Sequence, residues 1–148
     1  MDENANETKI LKIILRKKIF TIDTLSSLLN SSIKTARRRL KFWEAYTSYN
    51  ENGRYYTLPN IPEFDDNGLW AYRKVRFSKY GNLKQTSIHL IKRSRAGLDV
   101  AEMSELLGIS VRSFLTALRE QPDIKREKIQ GRFVYFSAVE TDYSKQKE

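Results

Sequence analysis

Shifted by 78 positions, the chain comes into register with itself without a gap. Leu28 and Leu29 then meet Leu106 and Leu107, Ser32 meets Ser110, Ile33 meets Val111, and Leu40 meets Leu118. Upstream, Ile10 and Ile13 meet Ile88 and Ile91; downstream, Gly53-Arg54-Tyr55 meets Gly131-Arg132-Phe133. A leucine pair can match by chance, but helix, cap, core and turn signals seldom do so together at one offset. Such a period constrains the fold more than composition does, because whatever one half builds the other half is expected to build again.

Each half reads as the same series of elements. "TKILKIILRKK" carries Ile10, Ile13 and Ile14 at helical spacing, and "LKQTSIHLIKRS" is its partner. A second helix opens at Thr21 or at Asp99, both good N-cap types, and Glu102 stands three residues after Asp99 as in a capping box. It ends near Asn30 or Gly108, the residues best suited to a left-handed C-terminal position. A third helix follows a short turn, capped by Ser32 or Ser110. Alternating aromatic and β-branched residues about Asn52-Gly53 or Gln130-Gly131 then signal a hairpin. Its rings, among them Tyr46, Tyr55, Tyr56, Phe133 and Tyr135, interleave with basic residues and could stack unpaired bases. At period-two spacing they are read instead as core and cross-strand pairs.

Helix, helix, short turn, helix, hairpin is the order of a winged helix-turn-helix. The stretches "TIDTLSSLLNSSIKTARRRLKFWE" and "LDVAEMSELLGISVRSFLTALRE" resemble the core of prokaryotic winged-helix DNA-binding proteins of the transcription-regulator type. The two copies cover most of the chain. The resemblance implies a mainly α fold with small β-hairpin wings (α+β), as two tandem winged helix-turn-helix domains. The second copy departs from the pattern where Phe114-Leu115 replaces Ala36-Arg37, which makes its third helix less basic.

Between the copies, Pro59, Pro62, Asp65, Asp66 and Gly68 mark a non-helical connector. Its second part, with Trp70, Tyr72, Val75 and Phe77, is too apolar for a free linker. It reads as a packed inter-domain segment with Arg73, Lys74, Arg76 and Lys79 on its solvent side. The expected spans are 1–58 for the first domain, 59–82 for the connector, 83–139 for the second domain and 140–148 for a flexible tail.

A helical wheel of about 100° per residue sorts the third helix. Ile33, Ala36, Leu40 and Trp43 fall on one core-facing arc, and Arg38 points almost directly away from it. Lys34, Thr35, Arg38 and Lys41 form the face offered to a major groove, where Lys and Arg pair with guanine edges. Arg37 and Arg39 sit on its borders, placed for phosphates, and Ser32 caps the helix at the same end. In the second copy Val111, Phe114, Leu115 and Leu118 turn inward, leaving Arg112, Ser113, Thr116 and Arg119 outward. The hairpin tips add Arg54 and Arg132 at matched positions, suited to a minor groove or a phosphate. The second wing adds Lys125, Arg126 and Lys128.

Charge agrees with this reading. The 148 residues include 27 Lys and Arg against 18 Asp and Glu, a net charge of +9 that attracts phosphate backbones. No cysteine is present, which excludes disulfides and thiolate chemistry, and the single histidine, His89, has no second one with which to share a metal. With no Gly-rich phosphate loop either, the chain is expected to be neither an enzyme nor a cofactor or metal binder. No apolar run approaches the ~18 residues of a membrane span, and the acidic opening "MDENANE" is unlike a signal peptide. A cytoplasmic, nucleoid-associated protein is therefore expected, with double-stranded DNA as its partner and a homodimer as a further option. The function expected is sequence-selective duplex binding by a transcriptional regulator. Alternatives are a plasmid or mobile-element replication initiator and an RNA- or protein-interaction module.

Overall fold

Thr21 and Asp99, matched across the repeat, each cap a helix of eight residues. Thr21 Oγ1 accepts the Thr24 amide at 3.3 Å. Asp99 accepts the Glu102 amide at 2.8 Å while Glu102 accepts the Asp99 amide at 3.0 Å, a complete capping box. These helices are α2 (Ile22–Leu29) and α5 (Val100–Leu107), and both end on left-handed residues, Asn30 and Gly108. The structure, a computed structural model, describes residues 3–148 and divides the chain into two units, Met1–Gly81 and Asn82–Glu148. Met1 and Asp2, with which the expected first domain begins, lie outside the described residues.

In the first unit, α1 (Glu3–Lys17) leads through β1 (Phe20–Thr21) into α2, then α3 (Ile33–Phe42), β2 (Tyr46–Thr47) and β3 (Tyr55–Thr57). The three strands form an antiparallel sheet ordered β1-β3-β2, with Phe20 opposite Tyr56 and Tyr46 opposite Thr57. Ile14, Phe20, Leu25, Ala36, Leu40 and Leu58 make the core. Ala36 is fully buried, and its small side chain lets α3 lie close on α2. Ile33, expected on the same arc, is 36% exposed, because it opens the helix ahead of the packed turn.

The second unit repeats this order with α4 (Leu83–Arg93), β6 (Leu98–Asp99), α5, α6 (Leu115–Arg119), β7 (Ile124–Ile129) and β8 (Arg132–Ser137). Its sheet is ordered β6-β8-β7, the same arrangement. The β7–β8 turn holds Gln130 at φ 52° and Gly131 at φ 80°, the two left-handed residues that a tight hairpin needs. The fold is thus α+β, with three small antiparallel sheets.

Three expectations are corrected. The 140–148 tail is not flexible but forms α7 (Glu140–Lys147), docked on β8 by the buried Gln146. Its side-chain amide donates to the Ile91 and Ser94 carbonyls at 2.8 and 3.0 Å and accepts the Ser137 amide at 2.9 Å. Segment 59–82 is not a connector between domains. Residues through Gly81 belong to the first unit, where β4 (Leu69–Tyr72) and β5 (Val75–Ser78) form a hairpin with Val75 and Phe77 buried. The Asn50 side chain fastens this hairpin to the β2–β3 loop, donating to the Lys74 carbonyl at 2.8 Å and accepting the Arg76 amide at 2.9 Å.

The third correction concerns the second copy's third helix. Ser110 does not cap it. Arg112–Phe114 form a 3-10 turn, and α6 is only five residues long with no side-chain cap. Phe114 occupies the place of the fully buried Ala36, and a phenyl ring does not fit a slot made for a methyl group. It remains half-buried at φ −123°, where the helix breaks.

Candidate nucleic-acid interface

α3 carries the densest positive surface of the first unit. Ser32 Oγ accepts the Thr35 amide at 3.1 Å and donates to the Thr35 hydroxyl at 3.1 Å, so the two hydroxyls lock the helix start. Lys34, Arg37, Arg38 and Lys41 are exposed, and none forms an ion pair with a described residue. Unpaired cations on a rigid helix cost nothing in broken ion pairs when a phosphate arrives.

Arg39 behaves differently from its two neighbours. Its guanidinium donates to Glu7 on α1 at 2.9 Å, and the Trp43 indole donates to the same oxygen at 3.1 Å. Arg39 also stands 5.8 Å from the Trp43 ring centroid. It fastens α3 to α1, which leaves Arg37 and Arg38 as the free arginines of the run.

Phe42 is 76% exposed at the end of α3, one turn beyond Arg38. Sequence reasoning passed over it, although the wheel puts it opposite Ile33. A phenyl group there can meet a thymine methyl.

The second unit brings its site residues together less well. Arg112, Ser113, Thr116 and Arg119 are exposed as expected but lie on a 3-10 turn and a short helix rather than on one continuous face. Arg132 donates to the largely buried Asp99 carboxylate at 2.7 Å, so this wing-tip arginine is held against its own unit. A groove of about 790 Å³ beside it is lined by Asp99 and Glu105 as well as by Arg112 and Arg132. Two carboxylates offset the two arginines.

No known protein family, curated protein or solved structure matches this chain.

The wings differ as well. Arg54 is exposed at the first wing, 5.4 Å from the Tyr55 ring centroid. In the second, Phe133 stands opposite Lys128 as a cross-strand pair but is 41% exposed, so it is not a core ring. It bears the Arg126 guanidinium at 4.0 Å and the Lys128 ammonium at 5.8 Å. Lys125 instead stands 4.1 Å over the Tyr143 ring of α7. The Tyr143 hydroxyl donates to Glu127 at 2.7 Å, and this hydrogen bond chiefly lowers the Glu127 carboxyl below its usual pKa. In the first unit, burial raises the Tyr49 phenol, with Arg76 opposing.

Sequence reasoning also did not group Arg16, Lys17, Arg73 and Lys74. These four line one cleft of the first unit with Tyr55 and Tyr72. The "RKK" ending the first helix and "YRKV" in the supposed connector were both legible as basic. Only the hairpin fold of 69–78 brings them together. Among the described residues, no helix is long and apolar enough to cross a membrane.

Proposed function

We propose that the chain is a sequence-selective double-stranded DNA-binding protein of the transcription-regulator type, built as two tandem winged helix-turn-helix units. The observation that carries this reading is the α3 face, where Lys34, Arg37, Arg38 and Lys41 stand exposed and unpaired on a helix capped by Ser32. The element order and the repeated sheet orders β1-β3-β2 and β6-β8-β7 support the winged-helix reading, since in each unit two antiparallel strands follow the third helix. Charge supports the first unit as the reader. Residues 1–81 hold fifteen Lys and Arg against nine Asp and Glu, and residues 82–148 hold twelve against nine.

In this reading Arg38 addresses a base edge, Lys34 and Lys41 flank it, and Arg37 takes a phosphate. Thr35 and Ser32 remain cap residues whose outer sides face the backbone. The second unit, through Arg112, Arg119, Arg126 and Lys128, supplies phosphate contacts. Its Ser113 and Thr116 are polar neighbours of those contacts, and Arg132 joins them only on leaving Asp99. Arg54 extends the first wing, and Arg39 acts through helix position.

The test is selection of bound duplexes from random DNA, followed by titration across salt. Affinity is expected to fall steeply as salt rises, because each neutralised phosphate releases a counterion. Affinity for hairpin RNA exceeding that for duplex DNA at every salt concentration would refute the reading.

A further inference from the structure

The first unit holds a second basic surface outside α3. A cleft of about 410 Å³ lies between the end of α1, β3 and the β4–β5 turn. Arg16 and Lys17 line it from α1, and Arg73 and Lys74 from the turn, over a floor that includes Tyr55, Tyr72 and Val75. No carboxylate lines it. Cations in a helix's last turn are ordinarily explained by the helix dipole. That explanation covers Arg16 and Lys17 but not Arg73 and Lys74, which arrive from a separate hairpin.

The turn is held in place before any ligand arrives. Asn50 bonds both Lys74 and Arg76 backbones, and the Tyr49 amide donates to the Arg76 carbonyl at 2.9 Å. The Arg73 guanidinium stands 5.6 Å from the Tyr72 ring, and Trp70 stacks on the same tyrosine at 5.9 Å with the planes 14° apart. Tyr72 therefore supports a cation and a neighbouring ring rather than offering a face to an unpaired base. Lys74 pairs with Glu51 at 3.1 Å, but its side chain is 75% exposed, so a phosphate can replace that carboxylate at little cost. Three cations without a carboxylate partner and a fourth on an exposed, exchangeable pair, carried on a held turn beside aromatic rings, are chemistry for a phosphodiester chain.

We propose that this cleft is a second phosphate-backbone site, which holds one strand of the duplex outside the base pairs read by α3. The proposal rests on the DNA-binding reading above. It makes the β4–β5 hairpin, which the second unit lacks, a binding element rather than a spacer.

The experiment uses the full chain and a duplex that it selects, prepared with and without flanking base pairs. The variant combines Arg16→Ala, Lys17→Ala, Arg73→Asn and Lys74→Gln, with Asn at 73 because that residue sits at φ 57°. On the flanked duplex, the slope of log affinity against log salt is expected to shrink by about 3.5 and affinity to fall by about tenfold to a hundredfold. On the core duplex the variant should match the parent, and the base preference that depends on Arg38 should persist on both. Should the fourfold variant unfold, Arg16→Gln with Lys17→Gln alone alters two exposed side chains and should give about half of the slope change.

An unchanged slope on the flanked duplex overturns the cleft while leaving the α3 reading intact. So does an equal loss on both duplexes, or efficient competition for the cleft by a single-stranded oligonucleotide. If the parent shows no duplex binding that depends on Arg38, the DNA-binding reading fails and the cleft proposal falls with it.

Discussion

The third helices of the two units occupy matched positions, yet they differ in length, capping and charge. α3 runs ten residues from a Ser32 cap and carries four unpaired cations. Its counterpart is a 3-10 turn followed by a five-residue helix. The difference is one of volume first and of charge second. At the Ile33 and Val111 pair the burial is reversed, 36% exposed against none, so Val111 is drawn into the core where Ile33 is not. The Val111 amide turns to Ser104 Oγ at 3.3 Å, and Ser110 Oγ accepts only the Arg112 amide, at a long 3.5 Å, ahead of the 3-10 turn. One repeat therefore keeps a long, capped third helix while the other shortens it, with the sheet order unchanged.

The largest expected effect probes what only the second unit has. Gln146→Ala strands the buried Ser137 amide and takes a donor from the Ile91 and Ser94 carbonyls, and should destabilise that unit by about 2–3 kcal/mol. Calorimetry or amide exchange at Ser137 measures it. Both tryptophans, Trp43 and Trp70, lie in the first unit, so their fluorescence should report an unshifted transition. A loss seen equally by the tryptophans would show that the two units do not unfold separately.

Next comes the α3 face itself. Arg38→Ala should remove about 1–3 kcal/mol of discrimination between bases, whereas Arg112→Ala or Arg119→Ala should weaken all duplexes alike. Arg39→Ala should keep the discrimination and lower the stability of the first unit, since Glu7 loses its cation. Binding to a set of single-base variants, beside a melting curve, separates these outcomes. Unchanged specificity in Arg38→Ala would remove that residue from the reading face.

Matched core positions give a smaller contrast. Val111→Ala deletes two buried methyl groups and should cost about 1.5–2 kcal/mol. Ile33→Ala, at a surface edge, should cost less than about 1 kcal/mol in denaturant titration. The caps should then separate by about 1 kcal/mol, with Ser32→Ala destabilising and Ser110→Ala neutral. Equal costs at Ser32 and Ser110 would mean that the second helix starts as the first does.

The smallest effect depends on pH. The Glu127 carboxyl is lowered from its ordinary 4.5 by the Tyr143 hydrogen bond. The stability it lends to α7 is therefore present above about 4.5 and is lost as pH falls through the lower folded value. Tyr143→Phe should flatten that acid limb of the second unit's stability profile.

Much of the local structure was legible because its causes are local. Thr21, Asp99 and Ser32 cap because their oxygens reach amides two or three residues ahead. Asn30, Gly108, Asn52-Gly53 and Gln130-Gly131 turn because they accept a positive φ. The wheel separated Arg38 from the core without any structure. What the sequence leaves open has its deciding partner far along the chain: Glu7 pairs with Arg39, and Asp99 with Arg132. The tail looked loose because its short polar helix has no apolar stripe; a single glutamine anchors it to backbone groups more than fifty residues away.

The 78-residue repeat, the caps, the turn residues and the excess of positive charge follow from the amino-acid order alone, since each depends on neighbours a few residues apart or on a simple count. Tertiary structure decided which arginines are free and which are paired, that 59–81 belongs to the first unit, and that the second copy's third helix breaks at Phe114. It also gathered Arg16, Lys17, Arg73 and Lys74 into one cleft. Those outcomes depend on volumes and charges that meet only after the chain has closed on itself, and no local pattern records them.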